Sequence, residues 1–155
     1  SQVLRAMLAV RRRKLAWAAP LLRGWLRDSD LTQVDSACEA LAALGDLEAV
    51  PDLLDLLRPE AADERRINCV VDPFGWYEPL PRESAADALA TLGVREAIPS
   101  LVALLDDRLA PVREAAARAL GRLQAFEARE ELQAQSEDPD PRVREAVRAA
   151  LAVLG

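Results

Sequence analysis

At 155 residues the chain is one domain or one short array, long enough for a continuous core. Its 26 acidic and 20 basic residues, net −6, argue against the basic stripe that a nucleic-acid groove needs. With no histidine, Ser–His, Cys–His and His–metal chemistry are all missing, and two cysteines make neither a disulfide framework nor a zinc site.

In chain order, Gln2 to Trp17 reads as a helix with Leu4, Met7, Leu8 and Leu15 on one side. The run Arg11-Arg12-Arg13-Lys14 precedes a short apolar stretch, but Arg23 and Trp25 follow at once. The segment therefore reads as a basic helix entering the fold rather than a signal peptide, and the basic run as a solvated face. Pro20 to Arg27 forms the second helix of a first pair, with the proline in a first turn where its missing N–H has no partner to lose. Asp28-Ser29-Asp30 is a turn, and Thr32 is placed as the next N-cap. Val34 to Leu44 and Leu47 to Leu57 form the following pair.

Arg58 to Pro81 is a long connection holding four prolines. Ile67 to Val71 has β propensity and reads as a short extended piece; helical order is not expected across Pro73 to Pro81. Three of the chain's six aromatics, Phe74, Trp76 and Tyr77, fall within four positions of it. Exposed aromatics are a liability, so they either pack back on Leu56 and Leu57 or meet a partner. Arg82 to Leu92, Arg95 to Asp106, Pro111 to Leu123 and Ala125 to Gln135 make two more pairs. In the last of these, Gln135 and Ser136 replace Leu104 and Leu105, which predicts a shorter or frayed helix. Asp140-Pro141 opens the final helix as N-cap and first helical residue.

These pairs are copies of one unit. Ala40-Leu41, Ala88-Leu89, Ala119-Leu120 and Ala150-Leu151 share one register position, and Leu44, Leu92, Leu123 and Leu154 another. The turn follows at Gly45, Gly93, Gln124 and Gly155. Second helices then start at Glu48-Ala49, Glu96-Ala97 and Glu127-Ala128, with core leucines Leu53, Leu101 and Leu132. Copies are 31 residues apart except at the first gap of 48, which carries a 17-residue insertion. A fixed period of this size means stacked helix pairs. Cys38 matches Ala86 and Ala117 and is a core position; Cys69 lies in the insertion.

The pattern Val112-Arg113-x-x-Ala116-x-x-Ala119-Leu120-x-x-Leu123, with Ala97-Ile98-Pro99-x-Leu101 in the second helix, resembles HEAT repeats. It is most similar to the short bacterial type also seen in phycobilin lyases. The resemblance covers Pro20 to the end and implies an all-α, right-handed solenoid of about four and a half helix pairs with one long aromatic loop insertion, 58–81. It also implies a ladder between units from an Asp six residues before an Arg, as at Asp107/Arg113 and Asp138/Arg144. The first unit departs, with Asp35 read at the Arg position, and before Arg82 the sixth residue is Trp76. The start at Ser1 and the end at Gly155 leave two readings open: a segment of a longer array, in which Val143, Val147 and Leu151 are partly uncovered, or a final helix that serves as its own cap.

The resemblance implies that second helices line the concave face. With Ala97, Ile98, Leu101, Leu104 and Leu105 inward, the opposite stripe is Glu96, Ser100 and Ala103. Its counterparts are Glu48, Asp52 and Asp55 before it and Glu127, Glu131 and Ala134 after it: six carboxylates in nine positions and no Lys or Arg. The first unit offers Trp17, Leu21 and Gly24. A groove acidic in its middle and apolar at its N-terminal end fits a basic or mixed protein partner. The expectation is a non-catalytic, cytoplasmic scaffold binding through Glu48, Asp52, Asp55, Glu96, Glu127, Glu131, Trp17 and the aromatics Phe74, Trp76 and Tyr77, without cofactor, metal, nucleic acid or membrane. Rival readings are an accessory or chaperone subunit of a bilin-lyase-like enzyme, an inhibitor or immunity protein for a basic partner, and a HEAT-like DNA glycosylase, which the acidic stripe disfavours. Oligomeric state is left open.

Overall fold

A computed structural model of the chain describes residues 16–28, 30–58 and 80–155. Residues 2–15 of the expected N-terminal helix, the extended piece, Cys69, and the aromatics Phe74, Trp76 and Tyr77 lie outside the described residues. Within them all regular structure is helical, as leucine- and alanine-rich segments favour. The α-helices are α1 (Ala19–Trp25), α2 (Leu31–Leu44), α3 (Val50–Leu56), α4 (Pro81–Leu92), α5 (Ile98–Leu104), α6 (Ala110–Arg122), α7 (Arg129–Ala134) and α8 (Pro141–Leu154).

First helices are long and second helices are short. Each second helix is entered through a single 3₁₀ turn: Ala16–Ala18 before α1, Leu47–Ala49 before α3, Arg95–Ala97 before α5 and Phe126–Ala128 before α7. Pro20, Pro51 and Pro99 then occupy the first α-helical turns, where a residue without an N–H is tolerated. The last second helix is the shortest, as expected, and finishes in a 3₁₀ turn at Gln135–Glu137. With no leucine pair to bury there, Gln135 donates instead to Asp106 at 2.9 Å.

Capping residues fix the boundaries. Asp140 accepts from the Arg142 N–H at 2.8 Å, as the sequence predicts. At α2 the cap is Asp30, which accepts from the Thr32 N–H at 2.9 Å. Thr32 is thus the donor and not the cap, because Leu31 is already helical. At the C-termini Gly45 (φ 73°) and Gly93 (φ 72°) turn left-handed, and the next residues, Asp46 and Val94, donate back to Leu41 and Leu89 at 3.1 and 3.0 Å. Gln124 makes the same turn at φ 51° although it carries a Cβ.

The first helices stack in the order α2, α4, α6, α8, and each second helix packs on the first helix that follows it. The insertion does not interrupt this stack. α2 packs directly on α4, and Leu57 and Leu80 at the two ends of the described chain are buried. Ala97, Ile98, Leu101, Leu104 and Leu105 are all buried, as are Leu53, Leu132 and Cys38. Burial pushes the Cys38 thiol well above the ordinary cysteine range, so it stays a protonated, apolar core group. Val143 and Val147, which the longer-array reading leaves partly uncovered, are fully buried because α8 turns them onto α6 and α7; Leu151 is half-buried.

The inter-unit ladder is present. Arg82 meets Asp107 at 3.0 Å, and Arg113 makes two parallel bonds of 2.8 and 2.9 Å to Asp138. Each of these arginines reaches the aspartate 25 residues ahead, in the next unit. Arg113 also donates to the backbone carbonyl of its own Asp107 at 2.9 Å, and Arg144 to that of Asp138 at 2.6 Å. The aspartates cap the next turn as well, accepting from the N–H groups of Leu109 and Asp140. Asp35 does not take the arginine's place. Arg113 and Arg144 stand four residues after their N-caps Leu109 and Asp140; four after Asp30 is Val34, which is buried. Asp35 instead accepts from the Ser84 hydroxyl at 2.7 Å, and its burial raises its carboxyl above the usual range.

Candidate protein-binding face

The second-helix face is built by register. An outward position in one 3₁₀ turn recurs in the next, so Glu48, Glu96 and Glu127 stand in line, all exposed. One turn further on come Asp52, Ser100 and Glu131, then Asp55 and Ala103. Of these Asp52 is half-buried and the others are exposed. At the N-terminal end Trp17 is 73% exposed and Leu21 55%. Two further exposed apolar residues, Leu47 and Phe126, occupy one register position on either side of Arg95.

The carboxylates are not all alike. Arg23 in α1 binds Glu48 and lies 3.5 Å from Asp46, and Arg27 reaches Asp52 at 2.7 Å. Arg95 clasps Glu127 with bonds of 2.7 and 2.9 Å and also donates to the carbonyl of Leu123 at 2.7 Å. Arg118, Arg122 and Arg148 stand on first helices, but these three do not. They belong to second-helix segments and shield carboxylates one unit ahead. The pairing is felt in acidity. The Arg23 hydrogen bond holds Glu48 below the usual carboxylate range. Glu127 is lowered first by its own backbone N–H and then by Arg95.

Three outward acids carry less compensation. Asp55 has only a loose, exposed contact with Arg58 three residues on, at 3.2 Å. Glu96 and Glu131 form no salt bridge among the described residues and are exposed. The excess negative charge of this face thus sits at Asp55, Glu96 and Glu131 rather than along all six positions. Sequence spacing held a signal for the pairs that were missed: Arg23 and Arg27 stand 25 residues before Glu48 and Asp52, the same offset as the buried ladder. Among the described residues no group of His, Cys, Asp or Glu is arranged to hold a metal ion.

The model for HEAT repeats matches residues 77–152, and the model for the PBS lyase HEAT-like repeat matches residues 36–58. The chain carries HEAT repeats. Two solved structures show where such a stack of repeats is found. The complex of CpcE and CpcF of phycocyanin lyase from Nostoc sp. PCC7120 is 25% identical, with a TM-score of 0.54 over 88% of this chain and 64% of that one. An engineered protein, Northeast Structural Genomics Consortium target OR329, is 23% identical with a TM-score of 0.63 over 97% of this chain and 66% of that one, which shows the fold alone. The HEAT-repeat chain described here therefore spans about two-thirds of the solved chains it matches. Among curated protein sequences none matches it. No helix among the described residues is long and apolar enough to cross a membrane.

Proposed function

We propose that this HEAT-repeat chain is a non-catalytic, cytoplasmic module that binds a basic or mixed protein segment along its second-helix face. The observation that carries the reading is the unequal compensation of that face. Among the described residues no arginine clasps Asp55, Glu96 or Glu131 with two bonds, and these acids stand on the same face as an apolar end at Trp17 and Leu21. A lysine- or arginine-bearing segment with one apolar anchor complements both features. Glu48, Asp52 and Glu127 contribute to the field but are partly neutralised, so they set orientation more than affinity. The aromatics Phe74, Trp76 and Tyr77 are proposed as further contacts on the sequence argument alone. The missing nucleophile–base pairs support a role without catalysis.

The test is affinity capture followed by mass spectrometry, with Asp55→Asn/Glu96→Gln/Glu131→Gln beside the wild type. A basic partner should be retained by the wild type at low salt, released as salt rises, and lost by the triple variant. Recovery of the same partners by both proteins would refute the reading.

A second reading is favoured by the likeness to the phycocyanin lyase complex: an accessory subunit of a bilin-lyase-like enzyme. Added bilin with an absorbance readout separates the two. A shifted, retained bilin band would favour the lyase role, and an unchanged spectrum the scaffold.

A further inference from the structure

The ladder between units is a file of alternating charge that closes on an arginine. Arg82 meets Asp107 and Arg113 meets Asp138; Arg144 is the next member in register. The Arg113 fork is held from behind. Its Nη1 donates to the Asp107 carbonyl at 2.9 Å, which leaves Nε and Nη2 to grip the Asp138 carboxylate at 2.8 and 2.9 Å. Arg144 is held in the same way, with Nη1 on the carbonyls of Asp138 and Pro139 at 2.6 and 3.1 Å. Among the described residues no carboxylate meets its other edge.

Register shows what surrounds that edge. A position that is buried in the inner units and open in the last marks the face that a following unit covers. The Arg148 side chain is 75% exposed where Ala86 and Ala117 are fully buried. Arg129 is exposed where Val50 and Ile98 are buried, and Leu151 is half-buried where Leu89 and Leu120 are fully buried. With Arg144 beside them, this face holds three arginines and no carboxylate. The acids next to them in sequence stand elsewhere. Glu130 takes the outward position of Pro51 and Pro99, and Glu145 that of Glu114 on the side of α6. Glu145 does pair with Arg148 at 2.7 Å, but both side chains are largely in water, where such a pair screens little. Arg129 spends its bond on the Gly155 carbonyl at 3.0 Å.

This charge selects the occupant. A unit like the inner ones would strip water from Arg129 and Arg148 without giving them a partner. The same face of a second copy would set arginine against arginine. Carboxylates satisfy all three, and the planar Arg144 fork fits one of them with two bonds.

We infer that the α8 end of the stack docks an acidic helix of a partner protein, whose opening aspartate enters the Arg144 fork as Asp138 enters that of Arg113. The surface is separate from the second-helix face and prefers the opposite charge.

Fluorescence anisotropy tests this with two labelled peptides that copy residues 135–154, each with Arg142→Gln, Arg144→Gln and Arg148→Gln. The second also carries Asp138→Asn, which keeps the acceptor of the turn and removes its charge. The first should bind at least about tenfold more tightly at low salt. Arg144→Gln in the protein should remove the difference, because an amide offers no fork to a carboxylate. Arg148→Glu in the protein should weaken the first peptide at least about tenfold and hardly move the melting temperature, since the side chain is exposed. It carries the test if Arg144→Gln lowers stability. Equal binding of the two peptides, binding of neither, or binding untouched by the variant that carries the test would overturn the inference. Inorganic phosphate bound through Arg144, with no peptide bound, would also overturn it, by making the fork a site for small anions.

Discussion

Removing the Asp138 carboxylate tests whether the ladder locks the last two units together. Its side chain is 3% exposed and the Arg113 side chain 13%. In Asp138→Ala the guanidinium of Arg113 would lose both parallel bonds while staying largely out of water. Breaking one partner of a buried pair costs about 3–5 kcal/mol, because the remaining charge is left uncompensated. The Asp140 N–H, bonded to Asp138 at 2.8 Å, would lose its acceptor as well, a cap worth about 1 kcal/mol. Against a total of roughly 5–15 kcal/mol for a domain, this is a large fraction. Urea denaturation followed by far-UV circular dichroism should place Asp138→Ala about 3–5 kcal/mol below wild type. Asp138→Asn keeps an oxygen for the cap and should lose less, about 1.5–3 kcal/mol. Arg113→Met/Asp138→Leu removes both charges and should be much less harmful than the two single changes summed. A loss under about 1 kcal/mol in Asp138→Ala, or strict additivity in the double variant, would refute the reasoning. The pH dependence has a fixed sign. Arg113 holds the Asp138 carboxyl below its ordinary value near 3.9. Its stabilisation is therefore complete above that value and is lost as pH falls through the lower folded one. Wild type and Asp138→Ala should converge in acid.

The remaining tests address other links of the fold and the face. Gly93→Ala meets no atom within 4 Å but forces a Cβ into a left-handed turn, so it should cost about 1 kcal/mol by thermal melting; Gln124→Gly should be neutral or stabilising by up to about 1 kcal/mol, since it removes that strain. Gly121→Val drives a side chain into Ala150 and should destabilise by about 1–3 kcal/mol or more, and a neutral result would mean α6 and α8 lie further apart. Asp35→Asn keeps an acceptor for the Ser84 hydroxyl but removes a charge that burial disfavours. It should match or exceed wild-type stability near neutral pH, with the advantage vanishing in acid where Asp35 is itself protonated. Asp55→Asn/Glu96→Gln/Glu131→Gln should leave the melting curve unchanged, because these side chains are exposed, and a large drop would make them structural.

The stack was legible because its cause is local and repeated. Ala119, Leu120 and Leu123 recur one period later at Ala150, Leu151 and Leu154, and an apolar face returning at a fixed interval has nowhere to go but against its neighbour. The core leucines and Cys38 followed from that register. Helix starts were less legible. Asp30 and Thr32 are both competent caps, and which one is used depends on whether Leu31 has already turned helical. The register across the insertion slipped by one position, so that Asp35 was read for Val34. The gap of 48 between Ala40 and Ala88 already sets Val34 opposite Arg82, so the position was legible from the register although the residue type there departs from the pattern.

Charge was the harder quantity to read, and the reason is reach. An arginine side chain extends far enough to cross from one unit to the next, so the net field of a face depends on residues outside that face. Glu48 and Glu96 occupy the same position of successive repeats and look equivalent in sequence. Arg23 stands 25 residues before Glu48 and covers it, whereas no arginine holds that relation to Glu96. The same arithmetic separates the two seams of the first helices. Asp87 meets Arg118 one repeat on, and Arg118 meets Ala149. Because the repeats share a backbone but not their side chains, a surface can be closed in one copy and open in the next without any change of fold. Binding sites in such an array are therefore to be sought where an inter-unit pair lapses. Here the lapse on the second-helix face is Glu96, which no arginine covers among the described residues, so Glu96→Lys should weaken capture of a basic partner at low salt. Unchanged capture by Glu96→Lys, measured in the same affinity experiment at low salt, would show that the lapse in pairing carries no binding.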